Sequence, residues 1–227
     1  VIVASGATPR SLQLPGEEQL WGVSLHNCAI CDGHMYQDDS SQGSSTTVLV
    51  VGGGDAALDA ALLLSRYATK VIVVHRHTEF PKVHNRQSLT LVTQNSNSNS
   101  KNTIEVMTPY VVKEWMTHKT DPSQLTGARL SYNNGDGDDN GTVDSEEVII
   151  PIDGAFVMIG AIPNTQWTQN LVGLEVDGEG LITTNTANSM NTNSMITATT
   201  IPGVFAAGEV TDNIYKQAIT AASAGAQ

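Results

Sequence analysis

Three features of the chain predict an α/β fold built on a parallel sheet. The β-branched run Thr46 to Val51 leads into Gly52-Gly53-Gly54-Asp55, an uninterrupted helical pattern follows, and the apolar run Lys70 to Val74 comes next. Strand, Gly-rich turn, helix and strand make a βαβ unit, whose crossover is right-handed and whose strands lie parallel. Two later apolar runs, Ala155 to Gly160 and Gly203 to Gly208, each end in glycine, as buried strands do where they enter a turn.

The elements follow in order. Val1 to Ala4 reads as a buried strand before the turn Ser5-Gly6-Ala7, and Pro9 to Glu18 as a connector punctuated by Pro15-Gly16. In the helix Asp55 to Ala68, residues Ala57, Leu58, Ala61, Leu62 and Ser65 place small and apolar groups at helical spacing, with neither Gly nor Pro between them. Lys70 to Val74 is apolar enough to be covered on both faces. Further strands are predicted at Ile104 to Met107, Ala128 to Tyr132 and Val148 to Ile150, and a helix from about Tyr215. Three polar stretches, Gln94 to Asn102, Asn133 to Asn140 and Thr183 to Thr200, bury too little surface to fold alone and read as surface loops. Val1 stands inside a strand-like run without a preceding Met, and the Ala-rich end carries no helix stop, so both ends are expected to continue in a longer protein.

A chain of 227 residues suits one large domain or two modest ones. Hydrophobic residues make up 40%, yet no segment approaches the roughly 18 apolar residues of a membrane span. A net charge of −12 argues against nucleic acid or anionic lipid as partners, since both require a basic face. Two cysteines are too few for a disulfide-stapled secreted scaffold.

Chemistry concentrates in a few motifs. Gly52-x-Gly54-x-x-Ala57 fits a dinucleotide-binding turn: the first Gly allows the tight turn, the second lets backbone approach a pyrophosphate, and the small third residue lets helix pack on strand. At the end of the next strand an NAD site places a carboxylate for the ribose 2′-hydroxyl. Here that position holds His75-Arg76-His77, and Arg76 can fork onto a 2′-phosphate, so NADPH is favoured over NADH. Cys28-Ala29-Ile30-Cys31 is open to three readings: a redox dithiol, a zinc site completed by His26 and His34, or two unreactive cysteines. The absence of a second CxxC pair weighs against zinc, and Asp32, directly after Cys31, can carry the proton that thiol–disulfide exchange requires. Glu209, just past the run ending at Gly208, is placed to hold a ribose or ribityl hydroxyl. His84 and His118 belong to no constellation, and Trp21, Trp115 and Trp167 read as packing residues.

In their order, Cys28-Ala-Ile-Cys31-Asp32-Gly33, Gly52-Gly53-Gly54-Asp55-Ala-Ala57, His75-Arg76-His77, Gly203-Val-Phe-Ala-Ala-Gly208-Glu209 and Gln217-Ala218-Ile-Thr220 resemble the low-molecular-weight thioredoxin reductases across nearly the whole chain. The resemblance implies two Rossmann-like, three-layer nucleotide-binding domains, with an NADPH domain (13–150) inserted into an FAD domain (1–12 and 151–227). It implies that NADPH reduces FAD, that the flavin reduces a Cys28–Cys31 disulfide, and that the dithiol reduces thioredoxin, in a homodimer whose domains rotate between the two encounters. Carried over residue by residue, Cys31 faces the flavin, Cys28 attacks the partner and Asp32 is the acid/base. Gly52, Gly53, Gly54, Asp55 and Ala57 cradle the NADPH pyrophosphate, His75, Arg76 and His77 take the 2′-phosphate, and Gly160, Gly208, Glu209, Lys216, Gln217 and Ala218 contact FAD. No metal is implied, and a cytoplasmic or organellar setting is expected.

The chain departs from the family pattern at several points. His77 replaces a second Arg at the phosphate turn and Pro81 a third, with Lys82 beside it as a substitute cation. Glu209 stands for an Asp one methylene shorter, and Lys216 for an Arg able to fork. Only one dinucleotide triplet is present, so the 227-residue chain is expected to bind NADPH but to hold FAD poorly and purify colourless. Two enzyme alternatives share most of these features: the flavoprotein of a peroxide-reducing system, and a ferredoxin-fed reductase, which would need neither Arg76 nor the glycine turn. A nucleotide- or zinc-binding regulatory module is the non-enzymatic alternative.

Overall fold

The computed structural model describes residues 1–38, 45–95, 103–133, 146–185, 196–212 and 214–226. The three polar stretches expected as loops lie mostly outside the described residues. The chain divides into two compact units, one of Val1–Arg10 with Gly160–Gln227, the other the continuous Ser11–Ile159. The first unit begins with β1 (Ile2–Val3) and β2 (Ala7–Pro9) before the chain enters the second.

The second unit holds, in order, α1 (Glu17–Leu20), β3 (Leu25–His26), α2 (Ala29–Asp32), a 3-10 turn at Gly33–Tyr36, β4 (Thr47–Val51), α3 (Asp55–Leu64), β5 (Lys70–Val74), α4 (Arg86–Asn95), β6 (Thr103–Met107), β7 (Tyr110–His118), β8 (Asp121–Tyr132), β9 (Glu147–Pro151) and β10 (Gly154–Val157). Its main sheet has five strands in the order β3-β10-β4-β5-β6, and every neighbouring pair is parallel. The predicted βαβ unit is therefore the centre of this sheet. Four consecutive residues of β4 and of β5 are buried, as expected of strands covered on both faces. On one face lie α3 and α4, whose Leu58, Ala61, Leu64 and Val92 pack against Val48, Val50, Val71 and Val73. The opposite face, with Leu49, Val51, Ile72 and Val74, is covered by the antiparallel sheet β7-β8-β9 through Trp115, Leu125 and Leu130. Helix, parallel sheet and antiparallel sheet give the three layers.

The boundary expected at residue 150 is corrected by β10. The run beginning at Ala155 does not belong to the first unit. It inserts between β3 and β4, all four residues of Gly154–Val157 are buried, and the compact unit extends to Ile159. Only a strand with neighbours on both sides can bury such an apolar run completely. The helix predicted as far as Ala68 ends at Leu64, with Tyr67 and Ala68 continuing as a turn bonded back to the carbonyl of Leu64.

After Gly160 the first unit contributes β11 (Ala161–Pro163), a 3-10 turn at Gln166–Asn170, β12 (Phe205–Ala206) and α5 (Ala218–Gly225). β1 pairs in parallel with β12, and β2 pairs antiparallel with β11. The strand expected over Gly203 to Ala207 is thus confined to Phe205–Ala206, and the helix expected from Tyr215 starts at Ala218. The core of this unit is small: Val3, Ile182, Ala206 and Val210 are buried, while Ile2 is 76% exposed and α5 buries none of its residues. No helix among the described residues is long and apolar enough to cross a membrane.

Candidate functional site

In a parallel sheet every strand ends on the same side, and ligands bind beyond those carboxyl ends. The register Leu25–Ala155–Leu49 and Val51–Val74 aligns the ends of β3, β10, β4 and β5. Cys28 follows β3, Gly52 to Gly54 follow β4, and His75 to His77 follow β5, so one edge of the sheet collects three of the sequence motifs.

Cys28 and Cys31 are joined in a disulfide, and no free cysteine remains. Cys28 caps α2 in an extended conformation and its Sγ accepts a hydrogen bond from the Cys31 amide at 3.2 Å, while the Asp32 amide donates to the Cys28 carbonyl at 3.0 Å. The short helix exists because CxxC spans one turn, and Gly33 ends it where any side chain would press on Leu64 and Tyr67. Cys28 is half-buried and Cys31 exposed, so the pair is accessible to a partner. A disulfide commits both sulfurs to each other, which does not suit the zinc reading; among the described residues no cluster of three or more His, Cys, Asp or Glu is placed to hold a metal.

Two residues beside this motif escaped the sequence reading as parts of one device. His26 was considered only as a zinc ligand and Tyr36 not at all. His26 is 2% exposed, its Nδ1 lies 3.2 Å from Asp32 Oδ2, and its Nε2 meets the Tyr36 hydroxyl at 2.8 Å. The Nδ1 contact is close but off the line of a well-formed hydrogen bond. The imidazole stacks on Phe156 with centroids 5.1 Å apart. Burial pushes the His26 pKa down despite the opposing pull of Asp32, and burial, with Asp153 and Asp32 nearby, pushes the Tyr36 phenol well up. The available signal was a histidine, His26, next to the apolar Leu25 and two residues before Cys28.

The glycine turn is dictated by close approach. A Cβ at Gly52 would lie 2.4 Å from the Met158 carbonyl oxygen, and one at Gly53 only 2.2 Å from His75 Nδ1. Above Gly54 there is nothing within 4 Å, and Ala57 is fully buried against the sheet. The open space over Gly54, at the start of α3, fits a pyrophosphate lying on backbone amides. Lys82 forms a backbone bridge with Gly54, which brings that cation to the same turn. Asp55 is employed otherwise: its carboxylate accepts from the amides of His84 at 3.0 Å and Asn85 at 2.9 Å, tying the start of α4 to α3 and holding its pKa below the usual range. His84 takes part in this anchor through its backbone amide, while its side chain stays exposed.

The three basic residues after β5 separate in role. The His75 ring covers Gly53 and stacks on Phe80 at 5.1 Å; burial, and the neighbouring charges of His77 and Arg76, lower its pKa. Arg76 and His77 are exposed, with Arg76 Nε donating to His77 Nε2 at 3.1 Å, and the Asn133 side-chain amide donates to the Arg76 carbonyl at 2.7 Å. Those two side chains are free of the core and fit a phosphate.

In the first unit, Gly160 and Gly208 adopt φ of +92° and +83°, which favours glycine at both. The Gly208 carbonyl accepts from the amide and hydroxyl of Thr211, each at 2.9 Å, and Glu209 is half-buried beside it. Lys216, Gln217 and Ala218 are exposed at the start of α5, where the Thr220 hydroxyl donates to the Gln217 carbonyl at 2.7 Å. These groups fit the flanks of a flavin. The strand–turn–helix that a pyrophosphate requires occurs once among the described residues, at Gly52–Ala57 in the other unit, so the fit to FAD is partial.

The chain resembles known proteins along its whole length. It is 33% identical over 225 residues to the thioredoxin reductase of Mycolicibacterium smegmatis, an alignment covering 99% of this chain and 60% of that protein. Glucosaminate ammonia-lyase of Pseudomonas fluorescens is also 33% identical over 225 residues, with the same coverage, so similarity alone does not select a reaction. The crystal structure of thioredoxin reductase from Streptococcus pyogenes MGAS5005 superposes with a TM-score of 0.70 at 27% identity, covering 100% of this chain and 61% of that one. The chain thus spans about three-fifths of the length of these relatives. Residues 1–225, a span that holds the parallel sheet, the glycine turn and the CxxC disulfide, match the pyridine nucleotide-disulphide oxidoreductase family, and the chain belongs to this family.

Proposed function

We propose that the chain forms the NADPH-binding and disulfide-bearing part of a flavin-dependent thioredoxin reductase. The observation that carries this reading is that a CxxC disulfide flanked by a carboxylate and a dinucleotide-type glycine turn leave the same edge of one parallel sheet. Gly54, with the start of α3, holds the pyrophosphate, Ala57 keeps that helix close to the sheet, and Arg76 and His77 bind the 2′-phosphate with Lys82 at hand. Glu209, Lys216, Gln217 and Ala218 line a flavin whose chemistry, when bound, is to take hydride from NADPH and pass two electrons to the disulfide.

The residues of this chain then complete the exchange. Reduction opens the Cys28–Cys31 bond; the Cys31 amide that now points at Cys28 Sγ steadies a thiolate there. Cys28 attacks the thioredoxin disulfide, a mixed disulfide forms, and Cys31 displaces it, restoring the intramolecular bond and releasing thioredoxin as a dithiol. Asp32 supplies and removes the protons. The intact glycine turn with Arg76 supports a nicotinamide donor over ferredoxin. The enzyme works as a homodimer in solution.

Replacing Cys28 or Cys31 by Ser, in this chain extended to the length of its relatives, abolishes NADPH-driven reduction of thioredoxin while leaving NADPH-to-flavin transfer largely intact. Equal loss of both reactions would mean that the cysteines serve another purpose.

A further inference from the structure

The disulfide does not sit beside Asp32 alone. Behind the carboxylate, in the interior, is a continuous polar line from Asp32 Oδ2 to His26 Nδ1 at 3.2 Å, and from His26 Nε2 to the Tyr36 hydroxyl at 2.8 Å. The three groups come from α2, β3 and the 3-10 turn at Gly33–Tyr36, and Phe156 of β10 stacks on the imidazole from the fourth side. His26 and Tyr36 are 2% and 6% exposed, whereas the Asp32 side chain is 35% exposed. The line thus runs from the solvent-facing acid into a sealed pocket. Tyr36 is fixed there from its other side as well: Gly154 passes so close that a Cβ would lie 2.0 Å from the phenol oxygen.

We propose that His26 is a positioning residue for Asp32, with Tyr36 fixing the tautomer in which Nδ1 carries the proton. The proposal rests on the reading of Asp32 as the acid/base of thiol–disulfide exchange.

The proton placement follows from the partners. An ionised Asp32 can only accept, so the proton belongs on Nδ1, which faces Oδ2 at 3.2 Å; a bare Nδ1 would set a lone pair against the carboxylate. A buried imidazole with one proton then has a bare Nε2, which the Tyr36 hydroxyl satisfies as donor. Asp32 and Tyr36 are the titratable groups facing the ring, and Asp153, at the start of β10, lies beyond Tyr36. None of them is a cation, so the Nδ1–H is the one polar donor of this line that faces Oδ2 of Asp32. An orienting partner behind an acid/base residue is a recurring way to hold a side chain in one working geometry.

The step it serves balances as follows. A thiolate of dithiothreitol attacks Cys28 Sγ, the Cys28–Cys31 bond breaks, and Cys31 Sγ leaves with the bonding pair and takes a proton from Asp32. The second thiol of the reagent displaces Cys28, so the reagent ends as a disulfide and the protein as a dithiol. With Oδ2 facing His26 Nδ1, the proton is carried on Oδ1.

Two measurements on the 227-residue chain test this. In the oxidised wild type at neutral pH, the 15N resonances of the His26 ring show a neutral imidazole protonated at Nδ1; an Nε2–H tautomer or an imidazolium would overturn the proposal. The second is the rate of disulfide opening by dithiothreitol, divided by the concentration of its thiolate and followed against pH. In the wild type this normalised rate falls as Asp32 gives up its proton, and Asp32→Asn flattens the curve. His26→Gln places an amide toward Tyr36 but removes the donor to Asp32, so its midpoint moves to higher pH by about one unit, the tenfold change expected of one charge-assisted hydrogen bond. His26→Asn keeps an N–H where Nδ1–H stood and holds the wild-type midpoint. A His26→Gln curve lying on the wild-type curve, with Asp32→Asn still flat, would overturn the role of His26 alone. A wild-type-like curve for Asp32→Asn would overturn the acid/base reading of Asp32 itself.

Discussion

Arg76 is the residue on which the proposed choice of NADPH over NADH turns. It is exposed at the end of β5, its backbone is held by Asn133, and its side chain contacts His77. Arg76→Ala is expected to lower NADPH affinity on the order of ten- to a hundredfold, the worth of a charge-assisted pair, while NADH affinity hardly changes. Calorimetric titrations with the two nucleotides measure the difference, and raising the salt narrows it because the contrast rests on charge. Equal wild-type affinities for NADPH and NADH would contradict the assignment. The Cys28–Cys31 pair was legible in the sequence because its chemistry is carried by residue type at fixed spacing. His26, Tyr36 and His84 were not. Their partners Asp32 and Asp55 are brought to them by the crossing of separate elements, and no local pattern announces such a crossing.

Among the elements, the βαβ unit was legible because β4 and β5 are short β-branched runs and α3 keeps its apolar period with no break. β7 was missed for a physical reason. Its register with β8 shifts between Val112 and Glu114, so Lys113 and Glu114 are both exposed and the two-residue alternation is lost. α4 was missed because Thr, Ser and Asn weaken its helical character, and its start depends on Asn85, whose side-chain oxygen accepts from the amides of Gln87 and Ser88. The glycine turn yields a prediction that separates packing from binding. Gly53→Ala drives a methyl into the His75 ring and should cost about 1–3 kcal/mol of stability in urea denaturation. Gly54→Ala meets nothing within 4 Å, and its φ of −102° suits alanine, so it should keep near wild-type stability yet bind NADPH much more weakly. Wild-type NADPH affinity in Gly54→Ala would mean that the space above Gly54 has no role in binding.

At the scale of the molecule, the two units differ in how much of a protein each makes. Ser11–Ile159 has two apolar clusters, one on each face of a five-stranded parallel sheet, and carries the disulfide, the acid and the glycine turn. Among the described residues the other unit has a single cluster of four buried hydrophobic residues, two-stranded sheets and the residues Gly208 to Ala218 proposed to flank a flavin. That division was expected as an insertion from the family resemblance, which placed residues 1–12 and the C-terminal part in one domain around the dithiol and nucleotide motifs. Its second boundary was not, because β10 joins the sheet only through pairing with the distant β3 and β4. The central claim, that electrons from NADPH reach the Cys28–Cys31 disulfide by way of a flavin, is tested most directly by an anaerobic reductive titration of this chain extended to the length of its relatives and loaded with FAD. The predicted result is bleaching of the flavin band with uptake of about two equivalents of NADPH per chain, one for the flavin and one for the disulfide, falling to about one in Cys28→Ser. Uptake that is the same with and without Cys28, or a flavin band that NADPH leaves unchanged, would contradict it.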